Sequence, residues 1–494
     1  MVTVEFTPEA DKTTAFLSGL YASNGVISPD FGKNTFDYTI AVPFDAEGFS
    51  ISAQAENPYL EPELRQVSPA SGVKELDDNL ALTEGLNEYT ITVTSQYKSA
   101  AKTYRIKAVK LPDLSLKTFK VKKGVDGFER DLAPLDTQTV YVAYKDGLTI
   151  EASPNDSGAT PSQSPAAIPT LSEYINVPTA VTVTVRKPLS GVEPSLTSKG
   201  YTLNLCYVAD TDLTPMAEGG YTNFIPAEGG NGYYEVHTFF ASGALSFLDK
   251  STASIKADYL IVAGGGGVGG GSGSNNYEGG GGAGGLLYTT GATLPLQNGS
   301  AAVVVGAGGK GNGSQAQGQN GGPSAIGNIS VPGGGGGGGC NNTTNNNTNG
   351  NSGGSGGGGG TGVSTAYGTG GQGSNGNSGI KGNKGGNGAN GGSVDSGGGG
   401  GGAGGAGTNG NSNGNVVAGG APWNASNAGA SWISTVTGKN EFSRGGNSGG
   451  KNGPTGGKAG VNYGDGGSGG NNSSRQGAAG HIGIVVIRLQ RPGN

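Results

Sequence analysis

Apolar and polar residues alternate along much of the first 110 residues. The segments 36–43, 89–94 and 103–109 show this two-residue period, which is typical of β-strands with one buried face. Asn-Gly, Asn-Pro and Ser-Pro pairs between such segments mark turns. Helical periodicity with capping residues is absent from this region, and strands spaced about ten residues apart are typical of a β-sandwich. The pattern therefore predicts a β-sandwich over residues 1–110.

A second series of strand-like segments follows. Residues 138–143, 181–185 and 201–207 are rich in β-branched and aromatic residues at alternate positions. They predict a second, more divergent β-sandwich over residues 111–207. We interpret residues 208–232 as a linker.

Glycine dominates the rest of the chain. All but 18 of the 103 glycines follow residue 250, and the runs 333–339, 356–360 and 397–402 contain nothing else. Such a segment has two possible structures. It is either a flexible coil with little to bury, or an ordered stack of extended, left-handed polyglycine helices. Those helices have no internal hydrogen bonds, so their backbone groups must pair with neighbouring helices.

The flanks of the glycine-rich region favour the ordered structure. Residues 257–263 and 481–489 are short apolar runs rich in β-branched residues, as expected for buried strands. A disordered linker needs no such strands at its two ends. We therefore predict one domain over residues 233–494, in which these two strands pair and the run 301–306 extends the same small sheet.

Two resemblances support this organisation. The ordered motifs YEVHTF, DYLIVAGGGG, GGAGGLLY, VVVGAGGKG, GGPSAIG and GIVVIRL resemble the glycine-rich domain of bacterial surface proteins and phage tail-fibre adhesins. The motifs LSGL, GVISPDF, DYTI, LTEGLN and TYRI resemble the cadherin-like β-sandwich repeat of bacterial surface proteins. Together they imply an all-β protein with two β-sandwich domains and a C-terminal glycine-rich domain, whose polyglycine II helices are closed by a small sheet.

Composition narrows the class of protein. Hydrophobic residues make up 33% of the chain, so the core must be thin or built from backbone rather than side chains. The net charge is −6, and the basic residues of the C-terminal half are scattered, which argues against nucleic acid as a partner. No apolar run is long enough for a membrane-spanning helix.

The termini and cysteines leave alternatives open. Residues 1–6 have the pattern of a strand, not of a signal peptide. We expect either that an export signal was trimmed or that the protein reaches the outside by assembly, as phage parts do. A long exposed edge strand at residues 2–6 would allow strand addition between copies. Cys206 and Cys340 form either one disulfide or, as we favour, two thiols.

One segment imitates a cofactor site. Residues 259–269 run from an apolar strand into glycines, as in a dinucleotide-binding fingerprint. That fingerprint needs a helix directly after the glycines, and the Ser-, Asn- and Gly-rich sequence that follows cannot start one. His237 and His481 are too few, even with two cysteines, for a metal site. We therefore predict no catalytic residue, no cofactor and no metal, and a protein that is not an enzyme.

Five aromatic residues lie in or between the glycine tracts, where a polyglycine core offers no side-chain pocket. Either they flank the stack and bury part of its edge, or they contact a partner at low entropic cost. The Asn-rich segment 341–351 is a further candidate contact. The candidate partner-contact residues are Tyr367, Trp423, Trp432, Phe442 and Tyr463.

These observations predict an extracellular structural or adhesive protein of a bacterial cell surface. In this hypothesis the sandwiches are spacers that present a rigid glycine-rich domain. Its partner would be a cell-surface glycan or protein, or copies of the chain itself in a homo-oligomer or filament. A phage tail-fibre receptor-binding adhesin is the first alternative, and a secreted enzyme with accessory sandwich modules is the second. The sequence does not identify the ligand.

Overall fold

The structure is a computed structural model. It describes residues 14–490 except positions 23–24, 47–48, 58, 77, 125, 175–176, 210–212, 228–231, 250–253, 272–276, 313–315, 341–346, 362–367, 375–378, 390–394, 451–456 and 471–476. The predicted edge strand at residues 2–6 therefore lies outside the described residues. The prediction of an all-β fold is confirmed.

The first compact unit groups residues 1–114 with residues 186–198. Its core contains Ile40, Ile91 and Ile106, each at an inward-facing position of a strand whose neighbouring residues are more exposed. Its strands are β1 (Leu17–Ala22), β2 (Val26–Ser28), β3 (Asp37–Val42), β4 (Ile51–Ala55), β5 (Glu63–Ser68), β6 (Gly72–Lys74), β7 (Gly85–Thr94) and β8 (Ala101–Lys110). One sheet has the order β2-β3-β8-β7-β5-β6, and β1 pairs with β4 in the other. The strands predicted from alternation are β3, β7 and β8.

The second compact unit contains the second sandwich and the glycine-rich region. The strands of the sandwich are β9 (Leu116–Lys123), β10 (Phe128–Asp131), β11 (Thr137–Val142), β12 (Leu148–Pro154), β13 (Thr160–Ser164), β14 (Thr179–Arg186) and β15 (Ser198–Tyr207). They form the sheets β10-β9-β12 and β11-β15-β14-β13. Phe119 of the first sheet and Tyr201 of the second are both buried, with ring centroids 5.8 Å apart. The predicted strands within 111–207 are β11, β14 and β15.

Two five-stranded sheets open the glycine-rich region. The elements are β16 (Ala217–Glu218), β17 (Tyr221–Pro226), β18 (Tyr233–Phe239), β19 (Gly243–Phe247), β20 (Lys256–Val262), β21 (Leu286–Thr293), β22 (Ser300–Val304), β23 (Ser324–Ile326), β24 (Ile329–Val331), β25 (Trp423–Asn424), α1 (Trp432–Thr437), β26 (Glu441–Phe442) and β27 (Ile484–Leu489). One sheet has the order β17-β18-β27-β20-β21, and we call it the closing sheet. The other has the order β16-β19-β22-β23-β24.

The closing sheet is covered on both faces, which explains its uninterrupted apolar runs. Val485 and Ile487 of β27 face the second sheet, in a core shared with Val303. Ile484 and Val486 face the opposite side. A strand with two buried faces needs apolar residues at every position rather than at alternate ones. Because β27 pairs with both β18 and β20, the C-terminal strand lies at the centre of the sheet, and the predicted pairing of 257–263 with 481–489 is confirmed.

Two expectations differ from the structure. The range 208–232, interpreted as a linker, contains β16 and β17, which pair with β19 and β18. The run 301–306 does not extend the closing sheet, because β22 pairs with β19 and β23 in the second sheet and packs against the closing sheet face to face. Apolar character alone predicts burial, but it does not select the partner strand.

Candidate functional site

The glycine tracts are ordered by backbone hydrogen bonds between neighbouring segments. Along residues 263–268, successive amide groups donate in turn to three segments, 282–285, 316–322 and 478–481, and Gly270 again donates to the second of them, at N···O distances of 2.8–3.0 Å. Every third residue therefore bonds to the same neighbour. The carbonyl groups of this segment accept hydrogen bonds from three other places, namely residues 309–312, 334–340 and 467.

The same rule holds for other segments. Residues 279–285 donate in turn to 332–338, 398–401 and 464–467, again with a three-residue period. Each segment is thus surrounded by others, and backbone polar groups that would otherwise be buried without partners are satisfied. We call this assembly the glycine core. Its segments are 263–271, 277–285, 305–312, 316–322, 333–340, 347–354, 355–361, 368–374, 381–389, 395–403, 407–411, 417–420, 443–450, 464–470 and 477–483.

Close backbone approach makes glycine necessary in the glycine core. A Cβ added at Gly358 would lie 2.0 Å from the carbonyl oxygen of Gly398. Nothing near Gly405 is closer than 3.5 Å to such an added atom. A backbone oxygen at 2.0 Å cannot turn away as a flexible side chain could, so a side chain at Gly358 requires the segments to separate.

The segments of the glycine core have one end at the sheets and one end away from them. Segment 263–271 begins at the end of β20, and segment 477–483 leads into β27. Their opposite ends lie among other segment ends, where Gly270 donates to Ala316 and accepts from Cys340. We call this face the distal end. It comprises Gly270, Tyr277, Asn312, Ala316, Cys340, Thr361, Gly450, Gly470 and Gly477.

Four connecting sequences follow segment ends of this face along the chain and lie outside the described residues. They are rich in Ser, Asn and Thr, and comprise residues 272–276, 341–346, 362–367 and 471–476. Most of the predicted contact segment 341–351 is one of these connections and, with Tyr367, falls outside the described residues. Residues 347–351 belong to the glycine core itself.

Three of the predicted partner contacts are buried, which corrects their assignment. Trp423, Trp432 and Phe442 are exposed by only 7%, 9% and 0%. They pack with Leu260 and Ile484 on the outer face of the closing sheet. An apolar sheet face needs a cover, and the segment of β25, α1 and β26 provides it. Of the two alternatives given for these aromatic residues, the structure therefore shows the one in which they flank the glycine tracts and are buried there.

Tyr463 is half-buried against the same cover. Its ring centroid lies 5.3 Å from that of His481 and 5.7 Å from that of Phe240. Burial raises the pKa of the Tyr463 hydroxyl to about 12. Burial likewise lowers the pKa of His481. Both side chains therefore pack within the domain and remain neutral near pH 7.

Glu278 and Asp465 are buried in the glycine core, and sequence reasoning did not single them out. Glu278 accepts a hydrogen bond from the amide of Gly470 at 3.1 Å, and burial raises its pKa to about 7. Asp465 accepts from the amides of Arg444 and Asn462, and burial raises its pKa as well. Both side chains cross-link segments through backbone amides. The single carboxylate directly before a glycine run was the signal that could have identified Glu278.

His237 belongs to a buried hydrogen-bond network. Its Nε2 lies 2.8 Å from a carboxylate oxygen of Glu235, and its Nδ1 lies 2.7 Å from the carbonyl oxygen of Gly219. Glu235 also accepts from the amides of Met216 and Ala217. The network fixes residues 216–219 to β18. Within the described part of the chain, no group of three or more His, Cys, Asp or Glu side chains is arranged to hold a metal ion.

Cys206 and Cys340 are both buried thiols, and Cys340 Sγ lies 3.5 Å from the carbonyl oxygen of Gly270. The alternative of a disulfide between them is therefore wrong. Among the residues that the structure describes, no helix combines the length and the apolar character needed to cross a membrane.

Comparison with known families agrees with this architecture. Residues 240–490, about half of the chain, match the family described as a glycine-rich domain. The chain belongs to the glycine-rich domain family. Residues 3–111 of this glycine-rich domain protein match the cadherin-like beta sandwich domain. Both predicted resemblances are confirmed. No curated protein matches the chain.

Proposed function

We propose that this glycine-rich domain protein is an extracellular structural or adhesive protein of a bacterial cell surface. The sandwiches act as spacers, and the glycine core presents its distal end to a cell-surface glycan or protein, or to copies of the chain. The proposal includes no catalytic activity.

The observation that carries the proposal is the three-residue period of the hydrogen bonds along residues 263–270. A polyglycine II helix has about three residues per turn and no internal hydrogen bonds, so its amides point to its neighbours in turn. We therefore infer that the segments of the glycine core are polyglycine II helices. Their mutual pairing holds the distal end rigid without a thick apolar core.

Rigidity of the distal end supports a role in recognition. Binding is stronger when the binding groups are already fixed, because less conformational entropy is lost on association. The four connecting sequences that follow this face along the chain contain hydroxyl and amide side chains suited to hydrogen bonding with a glycan or a protein surface.

A phage tail-fibre adhesin is the second candidate, because it would use the same distal chemistry. The cadherin-like sandwich at residues 3–111 favours the bacterial surface, since the resemblance is to repeats of bacterial surface proteins. Fractionation of the native host separates the two. A protein found in the cell envelope supports the first, and a protein found only in released virions supports the second.

The test is a binding measurement on the full chain. Residues 362–367 would be replaced by a Gly-Ser sequence of equal length, and the variant compared with wild type for binding to whole bacterial cells and for self-association by sedimentation. Residues 375–378 supply the matched control. Lys381, three residues further along the chain, exchanges backbone hydrogen bonds with Leu286 at the sheet end of the glycine core.

We expect the distal replacement to reduce binding or self-association while the control does not. Thermal unfolding of both variants would verify that the glycine core is intact. Equal loss in both variants, or no binding and no self-association by wild type, would contradict the proposal.

A further inference from the structure

A cleft of about 620 Å³ lies within the second compact unit, between the second sandwich and the strands that open the glycine-rich region. Phe128, Arg130 and Tyr144 line it from the sandwich side. Glu218 and Thr222 line it from the other side. Its volume is in the range of sites for small ligands, which are usually few in a protein and lie between domains.

Arg130 is the unusual group in this cleft. Its side chain is buried, with 7% of the residue exposed, and its guanidinium lies 4.8 Å from the ring of Phe224 and 5.4 Å from that of Phe128. Nη1 donates to the carbonyl oxygen of Tyr141 at 2.6 Å. A guanidinium has five donor hydrogens. Among the described residues no carboxylate forms an ion pair with Arg130.

The other charged groups around the cleft have partners of their own, with one exception. Glu129 and Asp131 project from β10 beside Arg130 and pair with lysines of β9, Lys120 with both and Lys122 with Glu129. Glu235, which acts on Arg130 electrostatically, is held by His237 and two backbone amides. Glu218 is exposed at the rim.

A buried cation without an ionic partner is costly, because it loses hydration that the protein does not replace. Burial lowers the pKa of Arg130 to about 10, so it still carries its charge near pH 7. A ligand carboxylate would satisfy the remaining donors in the two-bond geometry that a guanidinium favours.

The remaining lining fits a small hydroxylated ring. The rings of Phe128 and Tyr144, with centroids 4.9 Å apart, are half-buried and give the cleft an apolar wall. The hydroxyl of Thr222 supplies a hydrogen-bonding group on the facing side. We propose that this cleft binds an acidic monosaccharide unit, with the carboxylate of a uronic acid on Arg130 and its ring against Phe128 and Tyr144. This site is separate from the distal end and does not depend on the proposed surface function.

The proposal is tested by isothermal titration calorimetry of the full chain with sodium glucuronate. Glucose and acetylglycine serve as comparison ligands, because the first lacks the carboxylate and the second lacks the sugar ring. We expect glucuronate to bind at least about tenfold more tightly than either. Glucose loses the hydrogen bonds of the charged carboxylate, and acetylglycine loses the contact of the ring with the aromatic wall. Equal affinity for glucose would contradict the role of the carboxylate, and equal affinity for acetylglycine would contradict the sugar.

Two variants assign the binding to the cleft. Arg130→Gln should weaken glucuronate binding at least about tenfold. Glu218→Gln, at the exposed rim, should strengthen it about two- to fivefold, because it removes a like charge. Thermal unfolding of both variants shows whether the fold is kept.

Arg130→Gln tests the proposal if it folds, and Glu218→Gln tests it if Arg130→Gln does not fold. If Arg130→Gln unfolds at the wild-type temperature and still binds glucuronate with wild-type affinity, the proposal is overturned. If Arg130→Gln does not fold, Glu218→Gln decides, since unchanged or weaker binding by that variant contradicts an anionic ligand in this cleft.

Discussion

The guanidinium of Arg488 donates from Nε to the carboxylate of Asp258 at 2.8 Å, across strands that are 230 residues apart in sequence. Nη2 donates to the same oxygen, and the other carboxylate oxygen accepts from the amide of Gly291 at 2.7 Å. The guanidinium also lies over the rings of Tyr234 and Trp432. This pair joins the strand before the glycine core to the strand after it.

Breaking the pair should strongly destabilise the glycine-rich region. The side chains of Arg488 and Asp258 are only 12% and 3% exposed, so Asp258→Asn leaves a buried guanidinium without its counter-charge. We expect a loss of about 3–5 kcal/mol in the free energy of unfolding. Urea denaturation monitored by intrinsic fluorescence would measure it.

An exposed ion pair in the same region provides the control. Arg444 and Glu441 form a pair whose side chains are 51% and 42% exposed. Glu441→Gln should cost less than about 1 kcal/mol. Similar losses in the free energy of unfolding for Glu441→Gln and Asp258→Asn would show that burial does not determine the strength of the pair between Arg488 and Asp258.

Removal of residues 482–494 should unfold the glycine core as a whole. It deletes β27, the central strand of the closing sheet, and with it buried side chains such as Ile484, Val486 and Leu489 that stabilise the fold by about 1.5–3 kcal/mol each. The first sandwich should remain folded. Limited proteolysis followed by mass spectrometry distinguishes the two regions, and deletion of residues 491–494 alone is the control. A protease-resistant glycine core in the longer deletion would refute a closing role for β27.

A methyl group inside the glycine core should be far more damaging than one at its edge. Gly358→Ala would place Cβ 2.0 Å from a backbone oxygen, whereas at Gly405 the nearest atom is 3.5 Å away. We expect Gly358→Ala to lower stability by about 2 kcal/mol or more, and Gly405→Ala to change it by less than about 0.5 kcal/mol. Melting temperatures from calorimetry would compare them. If the two variants melt together, close backbone packing is not what requires glycine.

Glu278 should make the glycine-rich region less stable as the pH rises. Its pKa is raised from 4.5 to about 7 in the folded protein. The folded state therefore holds a proton between these values that the unfolded state has released. Stability contributed by Glu278 is complete below pH 4.5, falls as the pH rises to about 7 and is constant above it, with a total change of roughly 3 kcal/mol.

The Glu278→Gln variant isolates this effect. Gln keeps the shape of the side chain but does not titrate. The free energy of unfolding of the variant should therefore not show the decrease between pH 5 and pH 8 that Glu278 causes in wild type. Chemical denaturation at both pH values gives the comparison. Parallel pH profiles for wild type and Glu278→Gln would show that Glu278 does not titrate in this range.

The closing strands and the order of the glycine core were predictable because their signals are local. An apolar run at 481–489 requires burial, and glycine runs between two such strands require backbone partners. Other features depend on contacts that are distant in sequence. Trp432 and Ile433 pack on Ile484. The sequence around the two residues does not indicate that this face of the closing sheet needs a cover. Arg130 lies against Phe224 for the same kind of reason.

The pairing of Glu235 with Leu489 has a mechanical consequence for the glycine-rich region. Because β18 and β27 are antiparallel, β18 begins and β27 ends at the same end of the closing sheet. Tension between those two points would peel the strands apart one hydrogen bond at a time. A load that entered through β18 and left through the distal end would instead pull along the glycine segments, and many backbone hydrogen bonds would resist it in shear at once.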